Sequence, residues 1–239
     1  MTEIQILTIA AVVPGLAYAG YLYLRDKKEK EPLWLLALML LGGLLATIAS
    51  FYLETWADNI LFAIFDYPNT LFYLISAFLG VALVEEGTKF LFLNIFSWRS
   101  IHFNCLYDGL IYSVFVSLGF AISENILYVY SYGLQTAILR AFTAIPAHVC
   151  FGVVMGAYYA KARMLANQGK ESLASKNKIL GLLLAVFLHG LYDYFLFDPA
   201  IDYFYIWLVL VVIIYIIIFA TVRVTSKKDR YIDDVDIKY

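Results

Sequence analysis

Apolar residues fill long stretches of this chain, and polar positions interrupt them at intervals of about one bilayer crossing. A crossing helix needs about 20 mainly apolar residues, and the pattern predicts seven. They run from Ile4 to Leu24, Leu33 to Leu53, Leu71 to Phe96, Leu106 to Tyr130, Thr136 to Ala160, Ile179 to Phe197 and Ile201 to Val222. The patch Ile60 to Phe65 is too short to cross and is expected to lie at the interface. The expected fold class is therefore all-α, a polytopic transmembrane helix bundle of about seven spans. Residues 1–222 form its membrane domain, and 223–239 a short charged tail, expected to be solvated.

Charge placement tests this threading, because Lys and Arg gather on the cytoplasmic side. The first connection carries Arg25, Lys27, Lys28 and Lys30, the third Arg99, and the fifth Lys161, Arg163, Lys170, Lys176 and Lys178. The tail adds Arg223, Lys227, Lys228, Arg230 and Lys238 among Asp229, Asp233, Asp234 and Asp236. The second and sixth connections offer acids, Glu54, Asp58, Asp66, Asp198 and Asp202, and Arg140 is the one basic exception on their side. This alternation places the N-terminus outside and the C-terminus in the cytoplasm. Met1 to Gln5 carries no basic stretch, so the first run is expected to stay as a span rather than be cleaved as a signal.

Composition excludes an ordinary soluble domain: 63% of the 239 residues are hydrophobic and only 15% are charged. The lipid bilayer is the expected surrounding, and no nucleic-acid partner is expected. Cys105 and Cys150 lack CxxC or CxxH spacing, so they are expected as small buried residues rather than a disulfide or a cysteine-based zinc site.

Several ionisable residues nevertheless fall inside the apolar runs. Glu85, Glu86 and Lys89 lie in the third, Glu124 in the fourth, His148 in the fifth, and His189 and Asp193 in the sixth. Insertion of such a set is opposed by on the order of 10 kcal/mol before pairing. Glu85 and Lys89 share a helix face at i,i+4, and Glu86 is three residues from the same lysine, so either carboxylate can be its partner. An internal ion pair that fixes helix packing accounts for these three alone. It does not account for His189 and Asp193, whose i,i+4 spacing lets the carboxylate orient the imidazole. Pro146 and Gly152 around His148 imply a kink and a close helix approach. Helical rise puts Glu86 roughly 22 Å, His148 roughly 18 Å, and Glu124 and His189 roughly 10–12 Å from the outer ends, which allows one shared site.

Glutamates and histidines can supply the base, the oxyanion donors and the acid that peptide hydrolysis needs. Glu85 and Glu86 point about 100° apart on a helix, so they are expected to have different tasks. The chain has no HExxH helix, GxSxG elbow, phosphate loop or dinucleotide fingerprint. A serine mechanism through Ser117 or Ser123 is the weaker option, since such residues commonly satisfy helix backbone in membranes.

Val84-Glu85-Glu86-Gly87-Thr88-Lys89 resembles the EExxK motif of the PrsW family of intramembrane proteases, relatives of the CAAX-processing and bacteriocin-processing proteases. Gly119 to Asn125, with Phe120, Glu124 and Asn125, is similar to its FxxxEN motif. Pro146-Ala147-His148 and His189-Gly190-Leu191-Tyr192-Asp193 resemble its two histidine motifs. All four stand in family order on four successive runs, over residues 80–195. The resemblance implies a multi-pass enzyme of the bacterial plasma membrane, a peptidase that cuts a single-span membrane protein such as an anti-sigma factor at the start of a stress response. It implies Glu85 or Glu86 as the base that activates water, Glu124 and His148 nearby, and His189 with Asp193 as oxyanion support. Lys89, Phe120 and Asn125 would support them. Glu124 stands where the wider superfamily has histidine. A metal-free glutamate mechanism is the preferred expectation, with zinc held by Glu86, Glu124, His148 and His189 as the second option. A proton- or ion-coupled transporter, or a non-catalytic membrane scaffold, would also place polar residues in spans, although paired broken-helix halves are not evident.

Overall fold

A computed structural model describes residues 1–65, 67–198 and 203–232 of the chain. Asp66, Ile201, Asp202, Asp233, Asp234, Asp236 and Lys238 lie outside the described residues. Within them the chain is helical: α1 (Glu3–Arg25), α2 (Leu33–Ile64), α3 (Thr70–Ile75), a π-helical segment (Ser76–Ala82), α4 (Leu83–Ser97), α5 (Leu106–Tyr132), α6 (Leu134–Phe142), α7 (Ala144–Asn167), α8 (Glu171–Phe197) and α9 (Phe204–Lys227). Seven of the resulting stretches are long and apolar enough to span a membrane, with α3 to α4 and α6 to α7 each making one.

Helix α5 is the central element. It packs against α7, α2 and α1, while α9 contributes mainly an outer layer. Small residues allow the backbones at this centre to touch. A Cβ on Gly43 would stand 2.1 Å from the carbonyl oxygen of Val116, and one on Gly119 would stand 2.1 Å from that of Leu40. Gly109 and Gly156 open the α5–α7 seam in the same way, as expected where close van der Waals approach replaces a hydrophobic driving force.

Three boundaries differ from the hydropathy pattern, each for a local reason. Helix α2 does not stop at Leu53 but continues to Ile64, because no Gly or Pro interrupts it before the turn containing Pro68. The patch from Ile60 onward is thus the last turn of a long helix, and Glu54 is a helical residue rather than a loop acid. The fifth run is divided at Thr143 (φ −125°, ψ −71°) into α6 and α7. Pro146 sits in the first turn of α7, where its missing N–H is tolerated, and the break precedes it. Helix α8 begins at Glu171, so Lys176 and Lys178 extend a helix instead of a loop.

At the end of the bundle that carries most basic residues, the chain after α9 is tied down. Arg230 and Asn104 accept backbone hydrogen bonds from Leu106 (3.2 Å) and Ile232 (2.7 Å), and Ser226 Oγ donates to Arg25 at 2.6 Å. Asp229 accepts from the Tyr107 N–H at 2.9 Å.

Candidate active site

The π-helical segment Ser76–Ala82 leads directly into the glutamate pair. Its wider turns shift the rotational register of the helix that follows, a device common beside functional sites. Glu85, Glu86 and Lys89 consequently face the bundle interior, all buried. The Lys89 ammonium reaches Glu85 Oε2 at 3.0 Å, Glu86 Oε1 at 2.8 Å and His148 Nδ1 at 3.2 Å. It also lies 3.8 Å from the ring centroid of Phe120, which packs against His148.

Two histidines complete the constellation. His148 Nε2 donates to Glu124 Oε2 at 3.0 Å, and His189 Nδ1 donates to Glu86 Oε1 at 2.9 Å. His189 Nε2 lies 3.2 Å from Asp193 Oδ2 and 3.9 Å from Glu85 Oε2. The first approach is short but not aligned as a hydrogen bond, for Asp193 Oδ2 has no hydrogen-bond partner. The histidine rings meet edge to face at 5.4 Å, and Phe151 stacks on His189 at 4.7 Å. All five residues expected at the reaction centre, Glu85, Glu86, Glu124, His148 and His189, are thereby brought together.

A cavity of about 370 Å³ opens onto this cluster. Glu85, Glu124, His148, His189 and Asp193 line it, whereas Glu86 and Lys89 stand behind its wall. Glu54 and Arg140 also line it, although the sequence pattern assigns both to connections rather than to the site. Arg140, the basic exception among the outer connections, donates to Glu124 Oε2 at 2.8 Å through Nη2 and to Asn125 Oδ1 at 3.0 Å through Nε. Asn125 in turn donates to the Ala11 carbonyl at 2.8 Å, which anchors the arrangement to α1. A lone arginine among acidic connections was the available signal for Arg140. For Glu54 the hydropathy pattern masks the signal, because the apolar run ends at Leu53.

Glu85, Glu86, His148 and His189 offer ligand atoms that all lie within 4.8 Å of one another, a donor set that suits zinc by chemistry. Their geometry suits it less well. Zinc bonds of about 2.0–2.1 Å hold even opposed ligand atoms no more than about 4.2 Å apart, so the set would have to contract. More decisively, Lys89 Nζ already stands among three of the four residues, and an ammonium and a metal ion repel one another. With a charged Lys89 in this position the donors do not fit an ion.

Comparison with known proteins gives the family of the chain. Residues 30–221 match the family described as PrsW family intramembrane metalloprotease. The Protease PrsW of Geobacillus kaustophilus is 37% identical over 189 residues, covering 78% of each chain. That of Clostridioides difficile is 32% identical over 95% of this chain and 92% of its own, and that of Bacillus subtilis 31% identical over 78% and 81%. No solved structure matches the chain. With the family match running through six of its seven spans and the motif residues gathered around one cavity, the chain belongs to the PrsW family of intramembrane proteases, multi-pass proteins of the bacterial plasma membrane.

Proposed function

We propose that this protein is a metal-free glutamate endopeptidase that cuts single-span membrane proteins at the outer side of the membrane, with an anti-sigma factor as the expected substrate. The observation that carries the reading is the division of labour within the glutamate pair. Glu85 faces the cavity, while Glu86 is fully buried behind it between Lys89 and His189.

Glu85 takes a proton from a water molecule in the cavity, and the resulting hydroxide attacks the scissile carbonyl carbon. His189, with a proton on Nε2, donates to the oxyanion that forms, while its Nδ1–H remains on Glu86 and Asp193 stands beside Nε2. Glu85 then passes its proton to the amide nitrogen as the C–N bond breaks, leaving a carboxylic acid and an amine. Lys89 supplies the fixed positive charge that holds both carboxylates and His148 in place. Arg140 and His148 anchor Glu124 on the opposite wall.

Metal analysis of the purified protein, with turnover of a single-span reporter assayed in chelator, tests the metal-free form. Turnover is expected to persist. Loss of activity restored by zinc would overturn it. Membrane proteins captured by an inactive E85Q variant would identify the substrate, and an anti-sigma factor among them is the expected outcome.

A further inference from the structure

Among the charged side chains that line the cavity, Glu54 is the one that the reaction above leaves unused. It is positioned by the packing of α2 on α4. Ser50 Oγ and Thr88 Oγ1 hydrogen-bond at 2.8 Å, and Thr88 also donates to the Glu85 carbonyl at 2.9 Å. Glu54 lies one turn beyond Ser50 on the same face of α2. Glu85 lies about one turn before Thr88 on the antiparallel α4, so the two glutamates occupy matching turns of facing helices and both line the cavity.

The other carboxylates here are accounted for. Lys89 pairs with Glu85 and Glu86, Arg140 and His148 with Glu124, and His189 stands beside Asp193. No ion pair reaches Glu54 among the described residues, and its Oε1 is buried without a hydrogen-bond partner. Charge counting sharpens this. Glu54, Glu85, Glu86, Glu124 and Asp193 face only Lys89, Arg140, His148 and His189, so the carboxylates exceed the cations even with both imidazoles protonated. The remaining walls are aromatic, aliphatic or hydroxyl-bearing, including Val81, Tyr128, Thr136 and Trp207. Among the described residues the carboxylates of the site therefore outnumber its cations, and Glu54 is the one that no ion pair reaches.

We propose that Glu54 forms the acidic wall of a substrate subsite that takes a Lys or Arg side chain flanking the scissile bond. The proposal rests on the proteolytic reading above and adds to it a charge preference. A substrate cation entering the cavity meets a part-buried carboxylate that no ion pair reaches, and such a contact orients the chain and discriminates against acidic residues. Glu54 is assigned to binding, so its effect belongs in KM more than in kcat.

The test begins with the cut site that the wild type makes in a single-span reporter, mapped by mass spectrometry. Lys, Gln or Glu is then placed at each of the three positions on either side, and kcat/KM is measured for wild type, E54Q, E54D and E54K. Wild type and E54D are expected to favour Lys over Glu by at least about tenfold at one position. E54Q is expected to bring that ratio close to one, and E54K to reverse it, mainly through KM. Thermal melting in detergent checks that each variant is folded. An identical ratio in wild type, E54Q and E54K overturns the subsite, as does a wild type with no charge preference. Equal loss of turnover on every reporter in folded E54Q also overturns it and moves Glu54 into the chemistry. If the wild type cuts no reporter at all, the proteolytic reading falls first and takes the subsite with it.

Discussion

Lys89 Nζ stands 3.2 Å from His148 Nδ1, and this contact fixes the tautomer of the histidine. An ammonium has three donors and no acceptor, so Nδ1 accepts and Nε2 carries the hydrogen that goes to Glu124 Oε2 at 3.0 Å. The remaining two ammonium hydrogens serve Glu85 and Glu86. One buried lysine therefore sets the orientation of three neighbours on two helices.

Replacing Lys89 with Met should damage fold and activity together. Two buried carboxylates would lose their cation, a change that costs about 3–5 kcal/mol when a buried pair is broken on one side. K89M is expected to melt at a lower temperature in detergent and to lose at least about 100-fold in turnover. It should also gain zinc affinity, because the cation that stands among Glu85, Glu86 and His148 is gone. Metal-to-protein ratios of wild type and K89M after incubation with zinc check this, and equal ratios would refute it.

The two adjacent glutamates should separate experimentally. E85Q keeps the side-chain volume in the cavity wall but removes the base and weakens one contact to Lys89, so kcat is expected to fall about 10²–10⁴-fold with a smaller loss of melting temperature than in E86Q. E86Q weakens contacts to both Lys89 and His189, so its melting temperature should fall along with kcat. Steady-state kinetics and thermal melts on both variants provide the comparison. Full turnover by E85Q would transfer the role of base to another group.

The positions of Glu85, Glu86, Lys89, Glu124, His148, His189 and Asp193 could be read as a set because each interrupts an apolar run, where insertion penalises charge. The seven crossings followed from the same contrast. What periodicity could not supply was which polar residue near a run's end belongs inside. Glu54 reads as the first loop acid after Leu53 because the apolar run ends there, while α2 continues to Ile64 through a more polar stretch with no Gly or Pro to break it. Arg140 reads as a topology exception because its partners, Glu124 and Asn125, lie on another helix. The break at Thr143 that turns α6 toward them was foreshadowed by Pro146, but its angle was not.

The α2–α5 crossing makes a packing prediction independent of chemistry. A Cβ at Gly43 or Gly119 meets backbone atoms at 2.1 Å, which no rotamer change can relieve. G43A and G119A should each separate the helices and destabilise the fold by about 1–3 kcal/mol or more. Gly20, around which nothing lies within 4 Å, is the control, and G20A should melt like wild type. Thermal unfolding in one detergent distinguishes them, and an unshifted G119A would show that the crossing is looser than described.

The connection between α1 and α2 makes stability depend on pH with a defined sign. Asp26 is buried, and burial pushes its carboxyl up to about 6, partly offset by Lys30 and the Glu31 backbone N–H and reinforced by Asp229 and Glu29. Glu31 is pushed up to about 7, again mainly by burial, although it accepts a hydrogen bond from Tyr112 and is close to Asp108. Asp229, which ties the chain after α9 to Tyr107, is raised as well. In the unfolded chain these carboxyls titrate near about 4, so between there and about 7 the folded state holds more protons than the unfolded state. Stability should therefore fall as pH rises through that window and level off above it. Wild type is expected to melt several degrees higher at pH 5.5 than at pH 8, with D26N and E31Q each flattening the difference. A melting temperature that rises between those pH values would mean that the cluster is solvated and that the junction of α1, α5 and the segment after α9 is open.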